Sequence, residues 1–346
     1  MSSKAVPLAI SKKCFNRNVI CWVLGFIFLF LTPTQSHTAS PPVPKPNTPS
    51  DGCPSFSIPN SLLGDGFELG GEKVPITRPD VRARVEFQIN FLLFDARSVL
   101  GEWLKEKRKY SWIFEEIFSK EDIPLDFAWL APVLAGTIRS LNSHPSVGVW
   151  GLDRPCSSSE GAEMHDDTWR DDRLYIHLAT RCFAYRIKNL KQELGAGWLM
   201  SSVAYALSLK TTKDLIEKWN SSSVWDIPLP NSVEDMLGRW AALKIIGMNK
   251  SMYGLKYADP APLTYDNITS IELTKDLSIG EVAKFVKVSP RLILELNPKI
   301  KPNSGIFPAK VNGRPLMHSI AVPSGSGRLL LRKLQESGYL APETHK

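Results

Sequence analysis

The sequence predicts a mainly α protein, with a helical domain over residues 74–257 and a small βααβ unit over residues 265–340. Three observations predict it. Apolar residues return every three or four positions from Val85 through Ile89, Leu92, Ala96 and Val99 to Trp103, the period of a helix with one buried face. Further helix-length segments follow as far as Met248. After Pro260-Ala261-Pro262 the character changes, and two short β-like phrases bracket two short helical ones. The chain has 346 residues, 43% of them hydrophobic and 22% charged, which suits one or two domains with a real core.

The elements follow in order. Residues 1–39 open with a basic stretch and then an apolar run, Val19 to Leu31, closed by Thr32-Pro33. Thirteen apolar residues fit a secretory leader and are short for a membrane span of roughly 18 or more. The leader is either a cleaved signal peptide, with Ser36 or Ala39 ahead of the cut, or an uncleaved anchor; both mean export. Residues 40–73 begin with a Pro-, Ser- and Asn-rich stretch that reads as a semi-extended tether. Helices are expected over the Val85 to Trp103 stripe, over Ser111 to Phe118, and from Pro124, which sits well in a first turn behind Asp122. Leu141 to Met164 reads as a loop. Helix returns over Asp171 to Leu194, Trp198 to Leu209 and Glu234 to Met248. In the βααβ unit, Ile271 to Leu273 and Ser319 to Pro323 are the strands, and Leu277 to Val286 and Pro290 to Leu296 the helices.

The net charge of +7 belongs mostly to the leader. Residues 1–50 hold Lys4, Lys12, Lys13, Arg17 and Lys45 and no acid, so the remainder carries 37 basic residues against 35 acidic, a net of +2. Nothing there predicts nucleic acid as a partner. Beyond the leader stand Cys53, Cys156 and Cys182. An exported chain permits a disulfide, and Cys156–Cys182 would tie a loop to the next helix; three unpaired thiols are the other reading. His165 beside Asp166 and Asp167 has no second His or Cys at ligand spacing, so no metal is expected. No Gly-rich phosphate loop or serine-nucleophile elbow is present, and no cofactor is expected.

Ile123 to Gly136 reads I-P-L-D-F-A-W-L-A-P-V-L-A-G. This segment resembles a helix of the membrane-bound lytic transglycosylases of the D type, in the soluble-lytic-transglycosylase superfamily, which runs P-L-x-x-x-x-L-A-x-V-E-S. Other segments match in the same order: V-P-I-T-R-P-D-V from Val74, G-E-W-L-K-E-K-R-K-Y from Gly101, V-G-V-W-G from Val147, A-Y-A from Ala204, W-D-I-P-L-P from Trp225 and M-Y-G from Met252. Ser278 to Pro298 resembles the helix pair and Asn-Pro end of a LysM module. The resemblance implies a lysozyme-like (goose-type) helical domain with a groove for peptidoglycan glycan, followed by a LysM-like module. It also implies a location in the periplasm or cell envelope, anchored to the inner membrane if the leader is kept.

Enzymes of that family use one Glu as acid and then base to release 1,6-anhydroMurNAc. Here the Glu position is Leu134 without gaps, or Ala135 when Pro132-Val133 sets the register. Neither has a proton to transfer. Other polar groove positions differ as well: Gly151 for Gln, Ala206 for Asn, and Ser232, Val233 and Met236 for Glu, Thr and Tyr. Asp153, Glu160 and Glu163 lie on the loop where a groove lip belongs and are the alternative acids. Asp126 reads as a solvated first-turn acid. Trp150 and Tyr205 are either remnant sugar-stacking residues or core. The LysM-like glycan face would use Asp276, Leu277, Ser278 and the loop from Asn297 to Ile306. The resulting expectation is a catalytically inactive, glycan-binding or scaffolding protein whose partners are peptidoglycan strands and an envelope protein. The alternatives are an active lytic transglycosylase with a relocated acid, and a structural subunit that does not touch glycan. Membrane contact is expected only through the leader.

Overall fold

The computed structural model describes residues 55–64, 66–137, 147–256 and 261–340. The leader, the tether as far as residue 54, Cys53 and the first part of the Leu141 to Met164 loop lie outside them. About 53% of the described residues are helical, and their strands form four antiparallel pairs, so the class is mainly α.

The chain begins with α1 (Asn60–Gly64) and a hairpin of β1 (Phe67–Leu69) and β2 (Glu72–Val74). α2 (Pro79–Asn90) follows, with Pro79 in its first turn, where a missing N–H costs nothing. The single stripe expected through Trp103 is in fact interrupted. A π-helical turn, Phe91–Asp95, separates α2 from α3 (Arg97–Lys109) and advances the buried face by one position. Leu93, Leu100 and Leu104 therefore enter the core, while Val99 is exposed.

α4 (Ser111–Lys120) agrees with the periodicity. α5 (Phe127–Thr137) starts later than Pro124, because Pro124, Leu125 and Asp126 make tight turns whose carbonyls accept from Phe127, Ala128 and Trp129. After the loop come α6 (Ile176–Leu194), α7 (Trp198–Ala206), α8 (Leu209–Trp219) and α9 (Asn231–Met248). The helix expected to run through Leu209 stops at Ala206. Ser208 then caps α8, its hydroxyl accepting from Thr211 N at 3.1 Å.

In the C-terminal part, β3 (Tyr265–Glu272) pairs antiparallel with β8 (Met317–Pro323), and the register shifts between Ile268 and Ile271, where Ser270 takes a positive φ of 58°. Between them lie β4 (Leu277–Ser278), α10 (Ile279–Val286), α11 (Pro290–Leu296), β5 (Ile306–Phe307), β6 (Lys310–Val311) and β7 (Arg314–Pro315). Ser278 and Glu281 form a capping box at α10. The long loop before β8 holds the β6–β7 hairpin, whose Asn312-Gly313 turn has both φ values positive. α12 (Gly327–Glu336), which the periodicity did not predict, closes the unit.

The described residues form two hydrophobic cores. The larger lies among α2 to α9; the smaller includes Ile271, Leu277, Val282, Ile293, Phe307, Ile320 and Leu334. One member of the smaller core, Trp169, comes from the loop before α6. Around it the two parts share backbone bonds: Asp171 N donates to Lys299 O at 2.8 Å, and Lys301 N to Trp169 O at 2.9 Å. The described residues from Phe56 onward accordingly form one compact unit. Among the described residues no helix is long and apolar enough to cross a membrane.

Candidate functional site

The loop from Val147 is set by Gly148, whose φ is 77° and whose missing Cβ would meet Arg173 O at 2.3 Å. Val147 and Leu152 close the turn as a β-bridge. Further along, Met164 N donates to Cys156 O at 3.0 Å, and a Cys156–Cys182 disulfide fastens the loop to α6. Arg173 reaches back from the far end of the loop to donate to Asp153 O at 3.0 Å.

These restraints hold the loop against α6 and the end of α7, leaving a cleft of about 670 Å³. Asp153, Glu160, Gly151, Tyr205 and Ala206 all line it, so residues singled out at widely spaced positions meet there. Glu163 does not join them; it lies at the rim of a second pocket, toward β3 and β8.

Arginines fill the cleft's acid sites. Arg154 donates to both oxygens of Glu160, at 2.8 and 2.6 Å, and Ser157 N adds a third bond at 3.0 Å. The Arg154 bonds, helped by Ser157, outweigh partial burial and hold the Glu160 carboxyl down at about 2. Glu160 is thus a carboxylate across the neutral range and has no proton to hand to a leaving oxygen. Asp153 accepts from Arg186 Nη1 at 3.0 Å. Neither arginine was anticipated, although the S-x-x-E spacing of Ser157 and Glu160 marks Glu160 as a helix-capping acid.

Trp150 does not face the cleft. It is 0% exposed, stacked on Phe183 with ring centroids 3.8 Å apart, and its indole N–H donates to Thr180 Oγ1 at 2.9 Å. Its flat apolar ring gains more from the aromatic cluster of Phe114, Phe118 and Phe183 than from water. Tyr205 is half-buried at the cleft wall, and its hydroxyl donates to Trp150 O at 2.9 Å. Burial pushes that phenol well above the ordinary tyrosine range.

Leu134 is 1% exposed within the helical core, and Val233 and Met236 are also buried there. Ala135 is half-buried. Asp126 is not solvated: it pairs with Lys244 at 2.7 Å, with both side chains largely covered. Its carbonyl also accepts from the Trp240 indole at 3.0 Å.

The expected face on the βααβ unit divides. Asp276 is exposed, and its carboxylate accepts from Ala309 N at 2.8 Å. Ser278 is engaged in capping α10. Leu277 is wholly buried in the smaller core. Asn297 is 1% exposed: its amide donates to Ile293 O and Ala321 O, and its oxygen accepts from Ala321 N. Leu277 and Asn297 are therefore structural and cannot contact a ligand. Among the described residues no group of three or more His, Cys, Asp or Glu is placed to hold a metal.

No protein-family model matches this chain, and no curated protein matches it.

Proposed function

We propose that the chain is an exported lytic-transglycosylase-like protein that has lost acid catalysis and serves as a glycan-binding or scaffolding component of the cell envelope. The observation that carries this reading is the burial of Leu134, where the resemblance implies the catalytic Glu. A side chain packed into the core between helices neither transfers a proton nor leaves room for a carboxylate. The acids nearest the cleft do not replace it, because Glu160 is clamped in its ionised form and Asp153 is paired with Arg186.

The lysozyme-like assignment of the helical domain and the LysM-like assignment of the βααβ unit belong to the same proposal. The antiparallel β3–β8 pair enclosing α10 and α11 supports the second of these. Because Leu134, Val233 and Met236 are buried in the core, sugar contact in this reading falls mainly to the βααβ unit. Asp276 and the loop after Asn297 carry it there.

The test incubates the full-length protein with intact peptidoglycan and analyses released fragments by mass spectrometry, with sedimentation of bound protein in parallel. The expected result is co-sedimentation without 1,6-anhydroMurNAc products. Release of such products overturns the inactive reading. Absence of both products and co-sedimentation favours a structural subunit that does not touch glycan, a reading the burial of Leu134 also suits.

A further inference from the structure

A second pocket, of about 360 Å³, opens where the helical domain meets the β3–β8 pair. Its size is at the low end for small-molecule sites, roughly 300–1,000 Å³. Its charged lining was assembled by the fold, since Arg170, Arg181 and Lys299 come from the loop, α6 and the residue pair after α11.

Lys299 is the unusual member. It is only 6% exposed, yet among the described residues its ammonium makes a single hydrogen bond, to Ser319 O at 2.9 Å. The charge lies over the Tyr175 ring at 4.8 Å. An ammonium has three donors, so two are left without a protein acceptor at a pocket wall. Burial pushes its pKa down to about 8, partly opposed by Asp172. Arg170 Nε is likewise buried without a hydrogen-bond partner among the described residues, although it forms ion pairs with Asp167 and Asp172 at 3.4 and 3.7 Å. Arg181 is exposed at the mouth, with no hydrogen bond or ion pair among the described residues.

Two acids of the lining oppose these three cations, and Asp167, outside the lining, pairs with Arg170 at 3.4 Å. Asp172 is buried and already accepts from His165 N at 2.9 Å; Glu163 is at the exposed rim. The lining therefore carries a net charge of +1 with its histidines neutral. Burial lowers the pKa of His177, which is hydrogen-bonded to Tyr265 at 2.6 Å, and so favours its neutral form. A single excess positive charge matches a monoanion better than a dianion. Leu178 and Met317 add an apolar edge where a small alkyl group would lie.

We propose that this pocket binds the carboxylate of a small acid, with Lys299 and Arg170 donating to it and Arg181 closing the mouth. The carboxylate has two sources, the terminus of a short peptide or a free small acid. The peptide source, as in the stem of peptidoglycan, rests on the envelope reading above; the carboxylate site itself does not.

Isothermal titration of the full-length protein at pH 7 with N-acetyl-D-alanyl-D-alanine, acetate and inorganic phosphate tests it. Saturable binding of a carboxylate is expected, weakened at least about tenfold in Lys299→Met and about threefold in Arg181→Ala, as for loss of charge-assisted hydrogen bonds. Arg181→Ala keeps the test valid should Lys299→Met fail to fold, because Arg181 is exposed and has no hydrogen bond or ion pair to lose among the described residues. Dipeptide binding at least tenfold tighter than acetate assigns the site to a peptide end; similar affinities assign it to a free acid. No saturable uptake of either carboxylate, tighter binding of phosphate, or unchanged affinity in both variants overturns the proposal. Dipeptide binding by a protein that fails to sediment with peptidoglycan would count against the envelope reading and not against the site.

Discussion

Arg154 grips Glu160 through both terminal guanidinium nitrogens, and the geometry decides what that acid can do. A bidentate clamp favours the ionised form, so an acid standing at the cleft lip is unfit for the role its position suggests.

Releasing the clamp should be visible directly. In Arg154→Met the Glu160 carboxyl is expected to rise from about 2 toward the ordinary carboxylate range, read by NMR titration. A depressed folded pKa contributes stability that is present above the unfolded value and is lost as pH falls through about 2. The variant should therefore lose stability at neutral pH and show a shallower acid limb in urea midpoints. Glu160→Gln should leave glycan cleavage at background.

Placing an acid at Leu134, one of the two positions that the proposed resemblance aligns with the catalytic Glu, should fail. Leu134→Glu puts a carboxyl into a dry core, where it must be neutralised or force the helices apart. A loss of about 3 kcal/mol or more is expected in urea unfolding, with no 1,6-anhydroMurNAc released. Recovered lytic activity would show that α5 can open a groove.

Asn297 and Asp276 should separate cleanly. Asn297→Ala removes three buried hydrogen bonds, two of which tie the end of α11 to β8, and leaves Ala321 N–H and C=O short of partners, at a cost of about 2–3 kcal/mol. Asp276→Ala loses one partly buried bond, from Ala309 N, and should cost about 1 kcal/mol. Only the second is a fair test of glycan contact, measured by sedimentation with peptidoglycan at a temperature where both variants are folded.

Lys299 carries a stability cost through its burial. Its folded pKa, about 8, is below the ordinary value of 10.5, so the unfolded chain binds the extra proton between those limits. The contribution of this group to stability thus rises as pH climbs from 8 to 10.5 and is least favourable below 8. Lys299→Met should abolish that rise and stabilise the ligand-free protein at pH 7 by about 1–2 kcal/mol, read by denaturant unfolding.

Much of the helical order was legible because long amphipathic segments declare their period: α4, α6 and α9 lie close to where the spacing puts them. The break after Asn90 was not, since a π-turn leaves both flanking stripes intact and only rotates one against the other. The partners of the cleft acids were half legible. Ser157 and Glu160 show a capping spacing, but the approach of Arg186 from α6 depends on how the loop folds back. Trp150 could not be assigned from composition, because an indole suits an aromatic core as well as a sugar face. The pocket around Lys299 was invisible for a plainer reason. Arg170 and Lys299 are separated by more than a hundred residues, and only the antiparallel bridge between Arg170 and Ile300 brings them together.

Trp169 gives that bridge a further meaning. Its indole is buried in the second core, although the rest of that core lies beyond residue 270. The C-terminal unit is therefore not a bead that can be cut off and strung elsewhere. Excised, it would keep an indole-shaped void; removed, it would leave a bare tryptophan on its former neighbour. A growing chain meets the same problem in time, because Trp169 is synthesised long before Ile320 and Leu334, and its permanent surroundings form only when the last strand and helix arrive.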